Sequence, residues 1–536
     1  MKIIAYHIDR EKGIYNSLGE HLEPCEFTQT MDFLLGNEAL KVFDQLDCAA
    51  ASFLHLINIT DKEAQRLFEN GRINFSGTPY RISYFPAKYF AIYKGFGASE
   101  VKAEFSDISQ YNSELDNMVL TKEEGQIRSL VTYTTKTATD VYDALVSLGL
   151  QPENLISPSN VFIRQKFDKE KFNLPTMDDV PVGVLQYADE CVKGNYVEAF
   201  NRGYFESAFD YDVSSCYAFH ASKLLDIRRG KWVYSTEYQA SATYGFVKCE
   251  VNVDDTISPV IFKAQEQNYT PQGIWETFIT KSEIDYINDN NIGYASVISG
   301  WWWFKDERKA DYHPLAGMIN WLYARRQKTT GLNHEIIKRI LTGAFYGMFL
   351  QKKHGKPGEH YLSPYGAIIE AEARLQVIDT CRLYNAKPLA IVVDGVVTQK
   401  RIPLEKNTEL GGWRLSHEGK CIIVNSGLVA FEGKEGEGDF SLSFDWLHNA
   451  ISAEPEAAKY TKQSQRMVLL GHAVQSGCID KLGAIEVHER VIHIGGDSKR
   501  YWLSNPINGG DLISHQFKSR AWAIDTLKLL VGDSDE

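Results

Sequence analysis

The sequence predicts a mixed α/β chain folded as several domains, and three observations predict it. At 536 residues and 44% apolar, the chain can close several hydrophobic cores. Strand-like apolar runs alternate with helix-period runs along its length. Two strand-like runs far apart in sequence each carry an aspartate: AFDYDVSSCYAF (208–219) with Asp212, and PLAIVVDGVVTQ (388–399) with Asp394.

Taken in order, residues 1–160 read as a mixed α/β domain with strands near 1–8 and 80–93 and helices near 60–70 and 138–148. Residues 161–200 form a connector, marked by the Pro- and Asp-rich LPTMDDVP. The stretch AFNRGYFES, with Arg202, Gly203 and Tyr204, reads as a turn. Next come the Asp212 strand, a Ser-Ser-Cys-Tyr turn, then strands FVKCEVNV and ASVIS around a helix, TKSEIDYINDN. Four aromatics, Trp301 to Phe304, suit core packing better than base stacking. A helical hairpin follows, one arm over 314–328 and the other from His334, joined by TTGLN. A helix over 368–385 leads to the Asp394 hairpin, whose following Gly suits a tight turn. From about residue 427 a Gly- and Glu-rich loop precedes helices.

Charge is unevenly spread. The chain is acidic, at −13, but residues 305–356 hold eleven Lys/Arg against four Asp/Glu, which keeps a nucleic-acid partner open. Eight cysteines without a CxxC pair argue for reduced thiols in a cytoplasm and against a zinc ribbon. No membrane span or signal peptide is expected.

A carboxylate at the end of a buried strand is costly unless it is paired or holds a cation. If the two aspartate strands are neighbours, their carboxylates converge as a minimal cage for hard divalent cations such as Mg²⁺. Between them, Lys338 or Arg339 lies about two helical turns before Tyr346, so cation and ring share nearly one helix face.

These residues resemble the B-family DNA polymerases, in particular the small phage or mobile-element type similar to the protein-primed group. Asp212-Val-Ser-Ser-Cys-Tyr217-Ala resembles their first palm motif, Arg339 to Gly347 their fingers motif with Gly343-Ala344 for Asn-Ser, and Val392-Val-Asp394-Gly their Asp-Thr-Asp-Ser hairpin. The order along the chain also agrees. The resemblance implies an RNase H-like exonuclease-type N-terminal domain (1–160), the connector, and a right-hand polymerase: palm 201–310 and 356–426, fingers 311–355, thumb 427–536. It implies two Mg²⁺ ions, replaceable by Mn²⁺, on Asp212, Asp394 and Val213. Asp212 and Asp394 would be catalytic, and Tyr217, Arg325, Arg326, Lys338, Arg339 and Tyr346 would bind the nucleotide. Arg374, in Glu370-Ala-Glu-Ala-Arg, and Lys499 and Tyr501, in Lys-Arg-Tyr, would contact DNA. Asp9, Glu11, Asp47 and Asp140, the last opening a helix, stand where exonuclease carboxylates would. The partners implied are a DNA primer-template, deoxynucleotides and a terminal protein or other replication proteins. A catalytically silent nucleic-acid scaffold and a nuclease using only the N-terminal acids are the alternatives.

Overall fold

The structure, a computed structural model, describes residues 2–531 apart from 10, 58–65, 67, 70–71, 78, 86–88, 96–98, 113–114, 116–117, 119–125, 171, 266, 354, 405–406, 435–441, 469–472, 474–475, 477, 479–480, 482–484, 496 and 505–510. The chain divides into two compact units. The first comprises Met1–Phe172, Arg325–Ile340 and Gln463–His488; the second comprises Asn173–Ala324, Leu341–Lys462 and Glu489–Glu536.

The first unit is built on a nine-stranded sheet among the described residues. Its centre is parallel: Ile3–Asp9 beside Leu40–Phe43, and that beside Val101–Asp107. Ile3–Asp9 is nearly continuously apolar because both its faces are covered, while Val101–Asp107 alternates apolar and polar residues; Tyr6, Val42, Phe43 and Phe105 are fully buried. Outward from Val101–Asp107 the sheet is an antiparallel meander, in which residues 80–93 form two strands, Tyr80–Phe85 and Tyr89–Lys94. The helix expected over 60–70 falls mostly outside the described residues, and Phe68–Glu69 within it is a strand. Val468 and Ala473, from the last segment of the unit, complete the same core.

One helix departs from expectation. It runs Ile127–Ser147, so Asp140 lies well inside it, exposed, and does not open it. Its early half, before the expected start near 138, is rich in threonine, a residue that favours strands. Here Thr132, Thr134, Thr135 and Thr139 each donate a hydroxyl to the carbonyl four residues back, satisfying the side chain within the helix.

Among the described residues the second unit is built on two larger antiparallel sheets, with small two-stranded ribbons beside them. The larger runs Val197–Ala199, Pro388–Val392, Gly395–Thr398, Asn201–Val213, Trp413–Asn425, Leu428–Phe431, with Phe517–Arg520 also paired to the start of Asn201–Val213. Arg202-Gly203-Tyr204 is therefore strand, not turn. Gly203 has φ 123°, and a Cβ there would stand 2.5 Å from the His515 carbonyl, so only glycine lets the two backbones approach. The smaller sheet, four strands, is covered by the helix Lys281–Asp289, whose start is fixed by a reciprocal Thr280–Glu283 capping box. Trp302 and Trp303 are both buried in its strand Gly293–Lys305, Trp303 stacking on Tyr244 at 5.3 Å. The core reading of that aromatic run holds.

The C-terminal part is not mainly helical. After the helix Phe444–Ala453 come the paired strands Lys459–Met467 and Ile485–His493, then Tyr501–Trp502 and Phe517–Arg520, before a last helix Ile524–Val531. The β-branched Ile485, Val487, Val491 and Ile492 of IEVHERVIH are a strand signal that the helical expectation passed over; KYTKQSQRM, nearly all polar, becomes strand by pairing with it.

Candidate active site

The larger sheet of the second unit brings Asp212 and Asp394 together. Asp212, next to last in Asn201–Val213, pairs with Gly395, and the Val213 N–H donates to the Asp394 carbonyl at 3.1 Å. Val393-Asp394 is the two-residue turn of the hairpin, and Val393 sits at φ 59°, a costly place for a β-branched residue. Its N–H is held by the Tyr196 carbonyl at 2.8 Å. Burial, with the Asp212 charge adding to it, pushes the Asp394 carboxyl up to about 6.

Asp212 has a partner that the sequence did not disclose. Arg414, opposite it on Trp413–Asn425, donates to Oδ2 from Nε at 3.1 Å and from a terminal nitrogen at 2.5 Å. Two residues earlier, Asp210 pairs with Lys434 at 3.2 Å. The Arg414 pairing follows from strand register, and the Lys434 pairing from the turn after the neighbouring hairpin, neither of which a linear motif carries.

Beyond the turn Ser214–Ser215, with Ser215 in the left-handed region, the helix Cys216–Lys223 presents Tyr217. Its ring lies 4.7 Å from that of Tyr346, and its hydroxyl donates to Asn195 at 3.1 Å. Tyr346 is not on the hairpin helix. That helix, Gly331–Gly343, ends three residues before it, and Tyr346 caps a new short helix, Gly347–Leu350. Lys338 or Arg339 and Tyr346 therefore do not share a helix face, because the glycines at 343 and 347 interrupt the run.

Solved structures were compared with this architecture. Phi29 DNA polymerase bound to primer-template DNA and incoming nucleotide superposes with a TM-score of 0.63 over 92% of this chain and 100% of its own, at 12% identity. Its orthorhombic crystal form gives 0.57 over 96% of this chain and 99% of its own, also at 12% identity. The fold is that of phi29 DNA polymerase. Phi29 polymerase is a protein-primed B-family enzyme, so motif resemblance and three-dimensional likeness point the same way. No protein-family model matches the chain, and no curated protein does.

In this phi29-type fold, the cations of the helical hairpin (Ala316–Gln327 and Gly331–Gly343) belong with the first unit. Arg325 donates to the Ser147 carbonyl at 2.7 Å, Arg326 to His334 at 3.3 Å, and Lys338 pairs with Glu335 at 3.7 Å. Arg339 donates to the Gln110 carbonyl at 2.9 Å and lies over the Tyr111 ring. Of the four, Lys338 and Arg339 are exposed.

Two of the three expected DNA contacts need correction. Arg374 is 3% exposed and donates to Glu283 at 2.7 Å and to the Pro259 carbonyl at 2.8 Å. It locks the helix Ser363–Leu383 to the capping box of Lys281–Asp289 and presents no guanidinium to a phosphate. Lys499 precedes the strand Tyr501–Trp502 and donates to the Val197 carbonyl at 2.8 Å, so it does not share a strand face with Tyr501. Between them Arg500 is buried, paired with Glu198 at 2.9 Å. Tyr501 alone remains exposed, edge-on to Trp522 with Arg520 over its ring.

The acids of the first unit form a different group. Asp9 accepts from the N–H of Glu11 and of Lys12 at 3.0 and 3.1 Å, an Asx turn, while Glu11 is exposed. Asp47 is buried in the first turn of Leu46–Leu56 and accepts the Tyr84 hydroxyl. Sequence reading missed two neighbours. Asp44 takes the His7 ring at 2.5 Å; Asp107 accepts from Ser109 and from the Leu46 N–H. Burial first, and the Asp47 charge in addition, push the Asp107 carboxyl up to about 7.

Proposed function

We propose that the chain is a template-directed DNA polymerase that adds deoxynucleotides to a primer 3′-hydroxyl. The observation that carries this is the meeting of Asp212 and Asp394 across adjacent strands, with Asp394 shifted by burial and by its neighbour. That donor set, two electrostatically coupled carboxylates on neighbouring strands with the Val213 backbone beside them, fits hard divalent cations. Mg²⁺, or Mn²⁺ in its place, would be held by Asp212, Asp394 and Val213, and when bound supplies the positive charge that phosphoryl transfer requires.

The chain's own residues do the rest. Tyr217 lies under the incoming sugar and excludes a 2′-hydroxyl; Tyr346, packed against it, stacks at the nascent pair. Arg325, Arg326, Lys338 and Arg339 supply the phosphate-binding charge. Tyr501 meets the primer strand. Replication of a phage or mobile element, with a terminal protein as primer and the first unit as an exonuclease-type domain, accords with the phi29 likeness.

The test is metal-dependent primer extension. Extension by the unaltered chain, lost in Asp212→Asn and Asp394→Asn at unchanged melting temperature, is expected; full incorporation by either variant refutes the assignment. Tyr217→Val should raise ribonucleotide use. A second reading, a silent nucleic-acid-binding scaffold, is favoured by Arg414, which already neutralises Asp212. DNA binding without extension would establish it. Shortening of DNA ends with no nucleotide present would point to a nuclease.

A further inference from the structure

We infer that Glu370 is a positioning residue that sets how strictly the site selects its nucleotide sugar; the inference rests on the polymerase reading above. Glu370 lies in the helix Ser363–Leu383 and is 4% exposed. Its carboxylate takes three hydrogen bonds: the Tyr346 hydroxyl on Oε1, and on Oε2 the N–H of Lys193 at 3.0 Å and of Gly194 at 2.8 Å. A buried carboxylate is tolerated when its oxygens are filled in this way, and each such bond is stronger than one between neutral groups.

The same short segment reaches the other ring. Asn195 accepts the Tyr217 hydroxyl at 3.1 Å, and Asn268 clamps the segment by donating to the Lys193 and Asn195 carbonyls at 2.8 and 3.1 Å. Tyr346 and Tyr217 therefore close a circuit: ring against ring on one side, and on the other Glu370 and residues 193–195 tying both hydroxyls. Turning Tyr346 out of place breaks a charge-assisted bond inside the protein, so Glu370 fixes its rotamer. Tyr346 in turn buttresses Tyr217. A glutamine keeps the volume of this side chain and loses its charge: with its oxygen on the two backbone N–H groups, its amide N–H faces the Tyr346 oxygen, and the charge-assisted bond to that ring is replaced by a weaker neutral one. Glu370 touches neither substrate nor reacting atoms in this role. It acts through Tyr346.

The experiment compares primer extension with deoxy- and ribonucleotides in the unaltered chain, Glu370→Gln, Tyr346→Phe and the double variant, with melting temperatures alongside. Tyr346→Phe keeps the ring and removes only the hydroxyl, so it reports the bond even if Glu370→Gln folds poorly. The expected result is a roughly tenfold fall in the ratio of kcat/KM for the two sugars, similar in both single variants and no larger in the double. Unchanged discrimination in Tyr346→Phe, or losses that add in the double variant, would overturn the inference. An unaltered chain that extends no primer overturns the polymerase reading, and this inference falls with it; that control separates the two failures.

Discussion

Two groups of acids in this chain use the same residue type to opposite ends. In the second unit, Asp212 and Asp394 sit partly exposed at a strand end and a turn, and the hydrogen bonds Asp212 accepts come from a half-exposed arginine. In the first unit, Asp44, Asp47 and Asp107 are buried and accept from a histidine, a tyrosine, a serine and backbone N–H groups. The first arrangement leaves ligand directions open toward solvent; the second spends them internally. A carboxylate is available to a cation in proportion to what its own fold has left unfilled.

The largest expected effect separates the groups directly. Asp394→Asn should lower primer extension by at least about a thousandfold, whereas Asp107→Asn should leave it within about twofold. Equal losses would erase the distinction. Next comes stability against pH. Asp107 titrates near 7 when folded and near 4 when unfolded, so the folded state holds the extra proton between those values and stability falls as pH rises through that window. Asp107→Asn should therefore be more stable than the parent at pH 8, by on the order of a few kcal/mol, and nearly equal to it at pH 4; melting curves at the two values decide. Arg414→Gln should cost no more than about 1 kcal/mol, since the pair is half exposed. It should also tighten Mn²⁺ binding to the protein alone by several-fold, read by titration without DNA. The smallest effect is expected at Asp140→Ala. That residue is exposed mid-helix, so melting should move by less than about 0.5 kcal/mol and any shortening of DNA ends should not change.

What could be read in advance follows the range of the forces involved. Asp212 at a strand end and Asp394 in a hairpin turn are local statements, made by β-branched runs and a following glycine, and both held. The strand-like FVKCEVNV and the helix-like TKSEIDYINDN are equally local. Arg414, Lys434 and Asp107 escaped notice because their meaning lies in partners tens to hundreds of residues away. Arg374 escaped for a different reason: a charged residue in a motif reads as a contact for a ligand, and only the fold shows Glu283 waiting for it in the interior. The helix expected near 138–148 was found, but its threonine-rich first half was not anticipated, because there back-bonded hydroxyls outweigh intrinsic preference.

Val468 and Ala473 are wholly buried in the same core as Ile4, Phe43 and Phe105. During synthesis, then, the first unit to leave the ribosome cannot finish closing until nearly the whole polypeptide has been made. A nascent chain released at residue 172 should be digested by protease far faster than the same residues within the full-length protein.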